Sequence, residues 1–256
     1  KRTFKPLLPG FVSVPFGNID AVEQSISKET AAVLIEPVQN EAGAVLPPDG
    51  YLREMRNLCD RHGLLMMLDE VKTGFGKTGR MFACEHYGVV PDILILGKSL
   101  GGGLIPAGAV VAKHDLWKRF SLSFSMSASS YAGNALACRA ALSTIRFINQ
   151  GNLLADCVEK GKLLLRSFGD NVVEYPGILK SADGLGLLIG IRTQSRKVAL
   201  KLAQEMIRQG VLMVQAFGDS SVLMAEPPLV ISFQQIRTVV DSFAAACEKV
   251  SRTQKE

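Results

Sequence analysis

Histidine and tryptophan are scarce in this chain, three and one in 256 residues, and no Cys-x-x-Cys pair occurs anywhere. That argues against a zinc centre. The five cysteines (Cys59, Cys84, Cys138, Cys157 and Cys247) are odd in number and far apart. They fit reduced core thiols and a cytoplasmic setting better than a disulfide framework. None of His62, His86 or His114 stands in a spacing that would make one of those thiols a nucleophile. Long apolar runs are also missing. The longest, residues 104–112, is broken by Pro and Gly and is far too short for a bilayer. Residues 1–5 are basic, but Pro6 and Pro9 interrupt what a signal peptide would keep apolar. The net charge of +5 is scattered rather than blocked, and no aromatic-and-basic interleaving points to nucleic acid.

What is present is a hydrophobic fraction of 47%, enough for one large core or two smaller ones. Short apolar runs at residues 31–35, 64–68, 93–96 and 107–112 read as strands, with a helix over 50–62 stopped by Gly63. Strands apolar on consecutive residues predict a parallel or mixed sheet covered by helices on both faces. A long helical pattern covers residues 131–148, and the character changes after Asn149-Gln150-Gly151. Beyond it, helices are predicted at 153–168, 197–209 and 235–250, the last with a capping box from Ser232 to Gln235. Strands are predicted at 185–192, 211–214 and 222–224. The expected fold class is α/β, with residues 1–148 in a larger domain and 149–256 in a smaller α+β domain.

The stretch "LLMMLDEVKTGFGKTGR", residues 64–80, ends a buried run with two carboxylates, Asp69 and Glu70. A turn needs neither, since Ser, Asn or Gly would serve without placing charge beside a core. Three strands end in reactive residues: Glu36 after the first, Asp69 and Glu70 after the second, Lys98 after the third. Open α/β sheets collect ligands at the carboxyl ends of their strands, so an acid and a lysine would share one crevice. Each has a plain alternative as a helix cap, a backbone partner or a surface lysine. "GFGKTG" is not a phosphate loop, because the required first glycine is Val71, and Gly101 to Gly103 do not form G-x-G-x-x-G.

Taken together, "LDEVKTGFGKTGRMFACEHYGVVPDILILGKSLGGGLIPAGA" resembles the signature of the class III, pyridoxal-phosphate-dependent aminotransferases. "EPVQNEAGAVLPPDGYL" resembles the segment that precedes it in that family and "SSYAGNALACRAAL" the one that follows. The resemblance implies the fold-type I transferase architecture, pyridoxal 5'-phosphate as cofactor, small amine and carbonyl substrates, and a homodimer with shared sites. It makes Lys98 the Schiff-base lysine and Asp69 the acid that faces the pyridine nitrogen. Val71 would lie against the ring, Lys72 near the ring oxygen, and Ser129 and Ser130 at the cofactor phosphate of the neighbouring subunit.

Three departures qualify those implications. Lys72 stands where family members often have Gln. Met224, in "SVLMAEPPLVIS", stands where many have the arginine that grips a substrate carboxylate, a bidentate contact that Met cannot make. Glu41 matches the glutamate that pairs with that arginine; the resemblance leaves it either free to hold a substrate ammonium or with another cation filling the arginine's place. Finally, family members are longer, so the chain reads as a C-terminal portion of a larger enzyme that needs an upstream part. The expected activity is amino transfer from an amino acid or ω-amine to an aldehyde or keto acceptor, a step that could serve biosynthesis of a specialised metabolite. An aminomutase, racemase or decarboxylase on the same fold is the alternative, and a non-catalytic dimerisation scaffold the alternative of another class.

Overall fold

The computed structural model describes residues 5–121 and 129–253. Its first sheet contains β1 (Ala32–Ile35), β2 (Leu65–Asp69), β3 (Ile93–Leu96) and β4 (Ala109–Ala112), paired in that order. The first three strands are parallel and β4 closes the edge antiparallel to β3, so the sheet is mixed. A short helix, α1 (Ile19–Ser25), precedes β1, and α2 (Tyr51–His62) crosses from β1 to β2. Leu52, Met55, Leu58 and Cys59 recur at helical spacing and bury against Met66 and Leu68 of β2. Each fully buried Leu or Met contributes about 1.5–3 kcal/mol. Gly63, at φ +65°, then takes the left-handed turn that ends the helix.

The opposite face of this sheet is only partly covered. Leu96 and Leu100 pack with Phe75 and with Ile148 of α4 (Ala135–Gln150). Leu34, Val110 and Val111 stay half exposed, so the expected cover on both faces is incomplete among the described residues. A further helix, α3 (His114–Ser121), follows β4 without having been expected. The helical pattern read from residue 131 begins later, at Ala135. Asn134 caps it by accepting from the Ala137 N–H at 2.9 Å, and Gly133 turns at φ +69° just before.

The second sheet is wholly antiparallel, in the order β5-β6-β8-β7. Its strands are β5 (Leu179–Leu185), β6 (Leu188–Thr193), β7 (Val214–Gln215) and β8 (Val222–Ala225). Residues 185–192, expected as one strand, are instead a hairpin corner plus β6, because Gly186 at φ +59° reverses the chain. On one face lie α5 (Leu153–Glu174), α6 (Arg196–Arg208) and α7 (Phe233–Arg252). Helix α5 runs past the expected end at Phe168 because Leu164, Phe168 and Asn171 prolong its buried stripe. The Ser232–Gln235 capping box forms as expected.

The other face of the second sheet meets the loop after β1. Leu188, Val222 and Met224 pack with Val38 and Ala44. Here the backbones nearly touch: a Cβ on Gly190 would lie 2.2 Å from the Gly43 carbonyl oxygen, so only glycine fits. The two sheets are thereby locked in one arrangement.

Asp92, just ahead of β3, ties the far end of the first sheet together. Its carboxylate accepts from Met66 N–H and the Arg56 guanidinium, both at 2.8 Å, and pairs with Lys113. Burial opposes its ionisation, but Lys113, the Met66 N–H and Arg56 overcome that and hold the carboxyl down at about 2. A group held below its unfolded value stabilises above that value and loses the contribution as pH falls through the folded one. Asp92→Asn should therefore cost about 1–3 kcal/mol at neutral pH, the usual worth of hydrogen bonds to charged groups. In urea melts the difference from wild type should shrink as pH falls from 3.8 toward 2.

Candidate active site

The parallel register places three strand ends at one edge. Ile35 pairs with Leu68 and Asp69 with Ile95, so Glu36 follows level with Asp69, and Lys98 lies three residues beyond Ile95. Burial raises the Glu36 carboxyl; the Asn40 N–H pulls it back, Asp69 pushes it up, Lys98 lowers it, and Glu41 raises it further. Asp69, Lys98 and Glu41 thus all lie near enough to act on Glu36 at this edge.

The paired carboxylates after β2 have separate tasks. Glu70 is fully buried and accepts from the Thr73 hydroxyl and the Ala83 N–H at 2.7 Å and from the Cys84 N–H at 2.8 Å. It organises the loop of residues 70–84 and has no free oxygen for a ligand. Asp69 is half-buried, and among the described residues its Oδ1 takes only the Val71 N–H, at 3.0 Å. Its other oxygen remains for a ligand.

Val71 lies against the backbone that carries the lysine: a Cβ on Gly97 would meet Val71 Cγ1 at 3.3 Å. Lys98 opens a short 3-10 turn (Lys98–Gly101) and takes φ +44°, a left-handed conformation that costs a non-glycine residue of the order of 1 kcal/mol or more. Its side chain is exposed. Strain held at an exposed lysine beside two carboxylates marks a position kept for its chemistry.

Lys72 and Glu226 link the first sheet to the second. Lys72 Nζ lies 2.6 Å from Glu226 Oε2, while Glu226 Oε1 is buried without a partner. Beside them Lys77 donates to the Pro227 carbonyl at 2.8 Å. Burial lowers Lys77 to about 8, with Glu226 resisting and Lys72 assisting. Lys77 carries no recognisable signal in the sequence, because the phosphate-loop motif it would belong to lacks its first glycine. Glu226 carries none either, because no local pattern says that residues 72 and 226 meet.

Met224 is buried in β8 among apolar neighbours. Ser129 and Ser130 are exposed ahead of α4, and no hydrogen bond or ion pair joins them to Asp69, Val71 or Lys98 among the described residues. Glu41 is exposed and accepts from Asn40 Nδ2 at 3.0 Å. No cluster of ligating side chains that could hold a metal ion occurs among the described residues, and no helix there is long and apolar enough to cross a membrane.

The donor set suits an aldehyde-bearing pyridine. It offers an exposed primary amine, a carboxylate with a free oxygen on the neighbouring strand, and an apolar Val71 wall between them.

Comparison with known proteins agrees. The family model for class III aminotransferases matches residues 1–247, and the chain belongs to that family. The ornithine aminotransferase of Toxoplasma gondii, whose crystal structure shows partial occupancy of PLP at the active site, superposes with a TM-score of 0.92 at 29% identity. That match covers 99% of this chain and 60% of the Toxoplasma chain. The acetylornithine aminotransferase of Elizabethkingia anophelis matches at 32% identity and TM-score 0.87, over 94% of this chain and 63% of its own. The ornithine δ-aminotransferase of Plasmodium falciparum matches at 27% and 0.89, over 97% and 63%. The chain thus spans about three fifths of the length of these relatives.

The lowered Lys77 has a measurable consequence. Between pH 8 and 10.5 the unfolded chain still holds a proton that the folded chain has released, so this residue adds stability as pH rises. Lys77→Met should lack that rise. Thermal melts across the window should show wild type gaining on the variant, and parallel curves would contradict the assignment.

Proposed function

We propose that this chain carries the reactive lysine and the ring-facing acid of a pyridoxal-phosphate-dependent aminotransferase. The reaction is transfer of an amino group from an amino acid or ω-amine to an aldehyde or keto acceptor. The observation that carries the reading is the strained, exposed Lys98 set beside Asp69 and Glu36 at the carboxyl edge of parallel strands. Pyridoxal phosphate, when bound, supplies an aldehyde and a ring that accepts an electron pair.

The residues divide the remaining work. Lys98 Nζ would be the amine that holds the cofactor aldehyde. When freed by a substrate amine, it would take the proton from the amino-bearing carbon of the substrate and deliver it to the carbon that had carried the aldehyde. Asp69, through the oxygen not used by Val71 N–H, keeps a proton on the ring nitrogen. Val71 forms the apolar wall, and its contact with Gly97 fixes the spacing between that wall and the lysine. Lys72 remains a candidate donor to the ring oxygen, with its ammonium held by Glu226.

Two further assignments belong to the same reading. Exposed Ser129 and Ser130 support contact with the cofactor phosphate of a second subunit, and therefore a homodimer; Tyr131 and Leu136, 83% and 65% exposed, supply apolar surface beside them. Buried Met224 supports altered recognition of a substrate carboxylate, which favours amine, aldehyde or ketone substrates over 2-oxoglutarate.

The test is amino transfer from a ¹⁵N-labelled donor to an aldehyde or keto acid, followed by mass spectrometry of the acceptor. Lys98→Ala should lower transfer by about 1,000-fold or more, with circular dichroism unchanged. Transfer that survives in the variant would overturn the reading.

A further inference from the structure

Three lysines, Lys72, Lys77 and Lys98, follow the carboxyl ends of β2 and β3, and their surroundings differ. Lys98 is exposed, and among the described residues no carboxylate pairs with it. Lys77 gives a hydrogen bond to the Pro227 carbonyl at 2.8 Å. Lys72 is tied to a carboxylate. Its Nζ lies 2.6 Å from Glu226 Oε2, with 22% of the lysine side chain and 18% of the glutamate side chain exposed.

The place of Lys72 in the chain makes that tie matter. It directly follows Val71, whose Cγ1 would meet a Cβ on Gly97 at 3.3 Å, and Gly97 adjoins Lys98. An aldehyde delivered to Lys98 therefore arrives beside a strand end that carries a second primary amine. Condensation needs a neutral amine: its lone pair adds to the carbonyl carbon, and the oxygen leaves as water with both amine protons. An ammonium bonded to a carboxylate has no lone pair to give.

Glu226 is placed to hold a cation rather than to add stability. Pro227 and Pro228 follow it, and a residue before proline is confined to extended backbone. Lys77 clamps the same loop through the Pro227 carbonyl. Glu226 Oε1 is buried without a partner among the described residues, which costs stability, and a partly buried ion pair repays little of its desolvation. The same carboxylate acts on Lys77, where it opposes the loss of a proton that burial and Lys72 promote. One negative charge thus acts on both lysines other than Lys98.

We propose that Glu226 is a positioning residue that holds Lys72 as a tethered ammonium and so leaves Lys98 alone to take the aldehyde. The carboxylate selects the reacting amine by disabling its neighbour. The use of that selection rests on the amino-transfer reading, but the tether itself is measurable without it.

The test is reductive alkylation with acetaldehyde and cyanoborohydride near neutral pH, in wild type, Glu226→Gln and Glu226→Asp, read by peptide mass mapping. Rates at Lys72 and Lys98 are taken relative to Lys113, which pairs with Asp92 at the far end of the sheet. In wild type Lys98 should react faster than Lys72. Glu226→Gln should raise the Lys72 rate by about 10-fold, the usual worth of a hydrogen bond between charged groups. Glu226→Asp should keep Lys72 slower than Glu226→Gln does. Circular dichroism and an unchanged Lys113 rate separate this effect from a loosened fold. Lys72 as fast as Lys98 in wild type, or an unchanged Lys72 rate in Glu226→Gln, would overturn the proposal. A second arm treats the same proteins with pyridoxal phosphate and borohydride, and Glu226→Gln should gain an adduct on Lys72 beside that on Lys98. Adducts confined to Lys98 in that variant would sink the proposal and leave the amino-transfer reading intact. If acetaldehyde gives the expected rates while pyridoxal phosphate marks no lysine in any of the three, the tether stands and the amino-transfer reading fails.

Discussion

The parallel register of the first three strands is the constraint on which the site depends. Parallel pairing brings the carboxyl ends of β1, β2 and β3 to one edge, and the pairs Ile35–Leu68 and Asp69–Ile95 set their heights. A slip of one residue would turn Asp69 inward and Glu70 toward the crevice. The buried network around Glu70 opposes that slip. Its three donors, Thr73, Ala83 and Cys84, can be satisfied only with Glu70 inside. The buried Glu70 thus holds Asp69 in place.

The second sheet completes the site from the other side by backbone contact more than by side-chain packing. Gly190 against the Gly43 carbonyl and the Gly218 N–H on the Glu41 carbonyl bring it to the loop after β1. The Lys72–Glu226 pair adds a charged tie between the loops after β2 and β8. Its half-buried setting and the unpartnered oxygen of Glu226 make it a poor source of stability but a strong constraint on where Lys72 points. Family membership supplies the chemistry expected of such an edge; the particular charges around it are this chain's own.

Much of this was legible in the sequence, for physical reasons that differ by element. β1 and β3 are uninterrupted apolar runs, and α2 and α7 carry clear periodicity with a glycine stop or a capping box, so local pattern sufficed. β5 has the residues LKSADGL, too polar to stand out, and its pairing to β6 depends on the reversal at Gly186. Asp69 and Glu70 looked equivalent because sequence does not report which of two adjacent acids points inward. Glu36, Asp69, Val71, Lys98 and Glu41 were each visible from strand ends or family spacing. Lys77 and Glu226 were not, since their significance lies in burial and in partners up to 154 positions away.

On the proposed reading Lys98, and no other amine described at this edge, is the carbonyl-reactive group. Lys77 is its natural rival: burial lowers it to about 8, so more of it is neutral near neutral pH than of an ordinary lysine. Against that, Lys77 is half-buried and donates to Pro227, while Lys98 is exposed beside Asp69. The direct measurement is borohydride reduction of the protein with pyridoxal phosphate, followed by peptide mass mapping. A single adduct on Lys98 is the expected result. An adduct on Lys77 or Lys72, or none at all, would contradict it.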